Sequence, residues 1–338
     1  MKEFRKPVAM VPHHRAIREW ILTTTLLAVG CFVLIAAAYR HYAVKTAPGG
    51  YAKAGSAPEL EVTFLDVGQG DSIFIRTPSG RVVLVDAGPG KGEYSRFDAG
   101  ERVVVPFLKR MGIRKIDTLV MTHPHADHYG GMFALLGKFE IGEFLDPGQP
   151  YPSELYESLL EKLDKLGTPY RLTRAPSTLD WDPSMLVQVL WPEEGHLENA
   201  NPNNVSIVLR IVHGNNVYLL TGDIEMEIEM QLNAYQSGLR STVLKIPHHG
   251  STTSSSQRFL EYVRPRLAVM QLGINNKFGF PERAITERYR SFEIPVHRTD
   301  LTGTARTFSD GNRIKVQPEK GTPFTIHPFP SEPPEATP

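Results

Sequence analysis

The stretch TLVMTHPHADHYGG, residues 118–131, puts three histidines and an aspartate into six positions directly behind a short apolar run. Residues 118–121 have the composition of a buried strand, and Gly130-Gly131 followed by Met132, Phe133, Leu135 and Leu136 predicts a helix over 131–137. His123, His125, Asp127 and His128 therefore fall on a loop at the carboxyl end of a strand, where open α/β sheets place their chemistry. In an extended loop alternate side chains point the same way. His123 and His125 can thus grip one ion together, while Asp127 and His128 face a neighbouring position. Imidazole with carboxylate suits Zn²⁺, Mn²⁺ or Fe, whereas Ca²⁺ takes oxygen ligands only. One loop cannot close two such sites, so further ligands are expected at later strand ends.

They are present. The apolar run 217–220 leads through Thr221-Gly222 to Asp223, and 243–246 leads through Pro247 to His248 and His249. An aspartate between two ions can bridge them with its two oxygens, giving a dinuclear site of the kind that activates water. A lone H-x-H is weak evidence, because most histidines are packed or surface-exposed. The ordered set H-x-H-x-D-H, G-D and H-H-G, each behind an apolar strand, is strong.

Strand patterns also occupy 60–65, 72–76, 82–85, 186–190 and 205–212, and helical patterns occupy 103–111, 153–166 and 225–235. Strands and helices alternate in both halves, as in a layered α/β fold with two sheets and outer helices. No internal repeat points to a solenoid. The folded unit is expected over 59–322, followed by a Pro-rich disordered tail, 323–338.

The 338 residues are 41% hydrophobic, enough for a substantial core, and Lys+Arg and Asp+Glu both number 37. With formal net charge zero, bulk basicity does not recruit nucleic acid, although a local basic groove is compatible with it. Residues 21–39 (ILTTTLLAVGCFVLIAAAY) carry no charge and are long enough to cross a bilayer as a helix, bracketed by Trp20 and Tyr39. Lys2, Arg5, Lys6, Arg15 and Arg18 precede this run, and Arg40, Lys45 and Lys53 follow it. The bias predicts a cytoplasmic 1–20, a single-pass anchor, a Gly/Pro-rich linker over 40–58 and a domain on the extracytoplasmic side. A cleaved signal, releasing a secreted protein, is the rival, since Ala36-Ala37-Ala38 offers small residues near the end of the run. Cys31, the sole cysteine, lies inside the span, which excludes internal disulfides and thiolate metal sites in the folded part.

These motifs resemble the metallo-β-lactamase superfamily, and within it the exported hydrolase domain of ComEC-type competence proteins. The resemblance runs over about 60–312. It is carried by 65–71 (LDVGQGD), 84–88 (LVDAG), the H-x-H-x-D-H loop, Asp223 and 248–251 (HHGS), with support from 203–206 (NNVS), 275–279 (NNKFG) and 299–303 (TDLTG). It implies a four-layer αββα sandwich with two divalent ions, Zn or Mn, along one edge. The ligands it implies are His123, His125, Asp127, His128, Asp223 and one histidine of the 248–249 pair, with His249 favoured. The other, His248, would meet the leaving or phosphoryl oxygen, and Asp127 or Asp223 would orient the nucleophile. Asn204, Ser251, Lys277 and Thr302 are candidate substrate contacts.

Two departures stand out. Asn203 and Asn204 occupy the region where many superfamily members have a further histidine, and Phe280 stands where relatives often carry a histidine. His196 and His213 are weak candidates for the missing ligand. Asp86 could orient a ligand histidine or cap a turn. Asp66 and Asp71 read as loop support, and Lys245 reads more readily as solvated than as substrate-facing.

The expected activity is hydrolysis of a phosphodiester, single-stranded DNA among the candidate substrates. Alternatives are a small envelope phosphodiester, a phosphocholine ester or a lactone, and a non-catalytic tethered partner of a competence or envelope complex. A fold names a reaction class, not a substrate.

Overall fold

The computed structural model describes residues 59–92, 97–197 and 201–329. The expected anchor over 21–39 and its flanks lie outside these residues; among those described, no helix is long and apolar enough to cross a membrane.

Two sheets carry the fold. The first runs, from edge to edge, Phe324–Ile326, Ile314–Pro318, Ala305–Ser309, Leu60–Phe64, Ile73–Arg76, Val82–Val85, Thr118–Val120, Phe144–Asp146 and Tyr170–Leu172. The second runs Val296–Arg298, Leu267–Met270, Val243–Lys245, Asn216–Leu220, Val208–His213, Met185–Trp191 and Ser177–Leu179. Alternating residues of the central strands explain the packing. Val62, Phe64, Ile73, Ile75, Val83 and Val85 turn towards Val187, Val189, Leu209, Ile211, Tyr218, Val243 and Val269, forming one core between the sheets. Phe74, Leu84 and Leu119 turn the other way, against Val105, Leu108, Met132, Leu135, Leu159 and Leu163 of the outer helical layer.

In each sheet a run of parallel strands lies beside antiparallel ones. Thr118–Val120 pairs in parallel with Val82–Val85 and with Phe144–Asp146. Val243–Lys245 likewise pairs in parallel with Asn216–Leu220 and Leu267–Met270. Parallel neighbours need crossover connections, which here include the helices Met226–Leu232 and Gln257–Val263, and they bring the strands' carboxyl ends to a common edge.

Several local expectations shift. The helix expected over 131–137 is a short α-turn, Ala126–Tyr129, followed by 3₁₀ turns over Gly130–Ala134. Backbone packs closely here: a β-carbon at Gly131 would lie 2.1 Å from the Ala87 carbonyl oxygen. The helix Glu154–Lys165 is capped by Ser153, whose hydroxyl accepts from the Tyr156 amide, close to its expected bounds. The tail requires correction at its start. Phe324–Ile326 pairs with Val316, Lys315 and Ile314 as an edge strand, because its own short β-prone run outweighs the flanking prolines.

Candidate metal centre

The sequence-predicted ligands come from strands of both sheets and converge at their carboxyl ends. His123, His128, Asp223 and His249 are all at most 2% exposed. Asp127 is partly open, with 31% of its side chain accessible. Ligand atoms of His123, His128 and Asp223 lie within 4.8 Å of one another, as do those of Asp127, His128 and His249. The two triads share His128. Asp223 Oδ2 sits 3.2 Å from His128 Nε2 and 3.2 Å from His249 Nε2, so one carboxylate oxygen faces both imidazoles. His125 Nδ1 is 3.0 Å from His123 Nε2, so the alternate histidines of the loop do face one point.

Groups behind the ligands fix their orientation. Asp86 accepts from His128 Nδ1 at 2.8 Å, and also from the Thr122 hydroxyl at 2.6 Å and amide at 2.8 Å. Its positive φ of 57° bends the chain sharply after Val82–Val85 and turns the carboxylate inward. His249 Nδ1 donates to the Gln271 carbonyl at 2.8 Å. His123 Nδ1 has the Thr122 hydroxyl at 3.1 Å and the Ser206 hydroxyl at 3.3 Å. Each partner leaves the opposite ring nitrogen directed into the cluster, the arrangement that steadies metal-binding histidines.

The histidine pair is built on unusual backbone. His248 and His249 both adopt left-handed conformations, with φ of 49° and 54°. Such positions cost non-glycine residues about 1–3 kcal/mol each and cluster at functional sites. The two bends separate the side chains. His249 turns into the cluster, while His248, with 19% of its side chain accessible, hydrogen-bonds the Thr253 hydroxyl at 3.0 Å. Ser251 lies one step further, its hydroxyl 3.0 Å from that of Thr253.

The electrostatics divides the histidines. Burial, with help from neighbouring imidazoles, holds His123 well below the ordinary range, and burial also lowers His125, so both favour the neutral, metal-binding form. Burial pulls on His128 and His249 in the same sense, but the carboxylates win. Asp223 and Asp86 raise His128 well above its usual value, and Asp223 and Asp71 raise His249. Burial alone would raise Asp223; His249, His128 and Lys245 instead hold it well below the usual carboxylate range.

Reading the sequence did not anticipate Lys245 and Asp71 in this place. Lys245 is fully buried, its ammonium 2.5 Å from Asp71 Oδ2, 3.3 Å from Asp223 Oδ1 and 3.0 Å from the Gly222 carbonyl. Burial would lower its pKa, but Asp71 and Asp223 outweigh that and raise it, so the ammonium stays charged. The available signal was its position as the last residue of an apolar strand leading to the histidine pair.

Asp71 arrives on the loop 66–71, which lies against the metal-ligand loop without clearance. A β-carbon at Gly70, whose φ is +128°, would lie 2.0 Å from the Asp127 carbonyl oxygen.

Other candidates sit elsewhere. The Asn204 amide donates to Glu227 at 3.0 Å and accepts from the Glu225 amide at 3.0 Å, and the Asn203 amide donates to the Glu225 carboxylate at 3.3 Å. The Thr302 hydroxyl is engaged by the Arg298 carbonyl at 2.9 Å and by His297. Lys277 lies with its ammonium 5.0 Å from the Phe278 ring centre. His213 pairs with Ser309 at 2.9 Å, and His196 packs on Trp191 with ring centres 4.6 Å apart; neither joins the cluster.

The donor set fits divalent metal. His249 Nε2 is buried without a hydrogen-bond partner and has two carboxylates beside it, Asp223 at 3.2 Å and Asp127 at 3.7 Å. An orphaned imidazole nitrogen between carboxylates is costly unless a cation occupies the gap.

The chain is similar to several known proteins. ComE operon protein 3 of Bacillus subtilis is 31% identical over 279 residues, covering 80% of this chain and 34% of that protein. Competence protein ComA of Neisseria gonorrhoeae is 35% identical over 260 residues, covering 77% and 34%. Recombination protein 2 of Haemophilus influenzae is 30% identical over 263 residues, covering 78% and 30%. The chain thus spans about a third of the length of these relatives. Among solved structures, the metallo-beta-lactamase fold protein YhfI of Bacillus subtilis is similar at 14% identity and a TM-score of 0.47, covering 73% of this chain and 99% of that one. The model of the metallo-beta-lactamase superfamily matches residues 65–273, and the chain belongs to that superfamily, with relatives among the ComEC-type competence proteins.

Proposed function

We propose that the chain is a membrane-anchored phosphodiesterase that cleaves single-stranded nucleic acid with two divalent ions, Zn²⁺ or Mn²⁺. The observation that carries this reading is the pair of ligand triads sharing His128 around Asp223, with His249 Nε2 aimed between two carboxylates. The competence and recombination names of the relatives favour nucleic acid over other phosphodiesters. The apolar run 21–39 would hold the domain on the extracytoplasmic side.

The ions would activate water near neutral pH and offset charge on the phosphoryl oxygens. His123, His125 and Asp223 would hold one, and Asp127, His128, Asp223 and His249 the other. Asp127, the most open carboxylate of the set, would orient the attacking water. His248 hydrogen-bonds Thr253 through Nδ1, which would leave Nε2–H to hydrogen-bond the leaving or phosphoryl oxygen. Ser251, beside Thr253, and Lys277 would contact the substrate. Lys245 keeps Asp223 ionised and Asp71 paired in a site where an uncompensated charge would be costly.

The test is turnover of bis(p-nitrophenyl) phosphate and of labelled single-stranded DNA by the Mn²⁺- or Zn²⁺-loaded chain, beside Asp127→Ala and Asp223→Ala. Both substrates should be cleaved, with kcat/KM falling by about 10³-fold in Asp223→Ala. Cleavage of the small diester alone would move the substrate to a small phosphodiester. Failure on both, with two metals bound, would sink the phosphodiesterase reading.

A further inference from the structure

At the mouth of the centre, rings step outward from the buried ligand. The His249 and His248 ring centres are 6.3 Å apart, and those of His248 and Phe280 are 5.7 Å apart, edge to face. Phe280 and Phe278 then lie nearly parallel, at 16° with centres 5.6 Å apart. Phe278 is 50% exposed, and the Lys277 ammonium sits 5.0 Å from its ring centre.

A single exposed phenylalanine needs no explanation. A stacked pair in line with a candidate catalytic histidine, flanked by a cation, does.

The platform is also held rigid. The Asn276 side chain donates to the carbonyls of Gly273 at 3.0 Å and Phe280 at 2.6 Å, and accepts from the Phe280 amide at 3.0 Å. The Glu282 amide donates to the Gly250 carbonyl at 3.1 Å, tying the segment to the histidine turn. No space is left there, since a β-carbon on Gly250 would lie 2.9 Å from Pro281 Cβ. A prebuilt surface of this kind costs little ordering entropy when it is occupied.

Aromatic faces beside a cation are what single-stranded nucleic acid uses, since every base has a π-face and every link a negative charge. A choline cation also favours aromatic faces, but the Lys277 ammonium 5.0 Å from the Phe278 ring centre would repel it and attract a phosphate instead. We infer that Phe280 and Phe278 form a stacking platform for a nucleobase next to the scissile phosphate, with Lys277 meeting the adjoining phosphate. The inference rests on the phosphodiesterase reading for its location but is read by binding alone.

Fluorescence anisotropy of the 338-residue chain would compare a labelled oligothymidylate with an abasic strand of equal length and charge. Both strands carry phosphorothioate links, so binding is measured without turnover. The base-bearing strand should bind about tenfold more tightly. The double substitution Phe278→Ala/Phe280→Ala should erase that preference, and Phe278→Trp should keep it. Equal affinity for the two strands, or a preference untouched in the double variant, would overturn the platform. Binding to phosphatidylserine vesicles in place of the oligonucleotide, lost in the double variant, would overturn it in favour of a lipid surface. Diester hydrolysis without base preference would defeat this inference alone, and base preference without hydrolysis would defeat the enzymatic reading alone.

Discussion

His128 and His249 donate Nδ1–H hydrogen bonds to a carboxylate and a peptide carbonyl, whereas His123 finds only two hydroxyls behind it. The side of the cluster holding His128 and His249 also has the buried Lys245–Asp71 pair against it, with Asp71 Oδ1 3.5 Å from His249 Nδ1. The side holding His123 and His125 ends at Asn203, where many superfamily members present another histidine. One half of the centre is therefore braced by charge and the other by neutral dipoles. The difference teaches that, in the two-ion centre proposed above, the ions would not be equivalent: the braced half should hold metal more firmly, and the other should exchange it.

The largest blow to the braced half should come from Lys245→Met. It leaves Asp71 buried without its cation and Asp223 with only His249 and His128 beside it, which costs about 3–5 kcal/mol of folding stability when one partner of a buried pair is removed. Denaturant unfolding of the metal-free chain reads this directly. Adding Asp71→Asn should restore much of the loss, and a loss below about 1 kcal/mol would show that the pair is not a brace.

A direct contest between the halves compares Asp86→Ala with Ser206→Ala. The first removes the carboxylate behind His128 and should weaken the tighter metal by about 10–100-fold. The second removes the neutral hydroxyl that lies behind His123 and accepts from the Asp223 amide at 3.0 Å, and should weaken the looser metal by only a few-fold, about 1 kcal/mol. Metal titration calorimetry separates the two events, and equal effects would dissolve the distinction.

The smallest effect is in protons. His128 and His249 stand above the ordinary imidazole value through Asp223 and their other carboxylate neighbours, despite burial, so metal must displace protons from them near neutral pH. His123 and His125, lowered by burial, bind without that competition. As pH falls through neutrality, affinity at the braced half should decline while affinity at the other half holds to lower pH. Calorimetry in two buffers of different ionisation enthalpy should show proton release for the first event and close to none for the second. The reverse order would break the assignment of the halves.

Much of this was legible in the sequence because strand ends are local. The run 118–121 followed by His123, and 243–246 followed by His248 and His249, place their residues by short-range pattern alone. What escaped depended on distant partners. Lys245 reads as a solvated lysine until Asp71, far away in the chain, is folded against it. The two asparagines are indistinguishable by type, and only the turn over Pro202–Val205 sends the Asn203 amide to Glu225 and the Asn204 amide to Glu227. The edge strand Phe324–Ile326 was hidden by the prolines around it.

The contact between Gly70 and the Asp127 carbonyl has a consequence in heredity. Every amino acid other than glycine carries a β-carbon, and no space for one exists between the two loops. Every missense change in codon 70 should therefore push the metal-ligand loop out of place, whatever residue it encodes. In a mutational scan that codon should tolerate silent changes only.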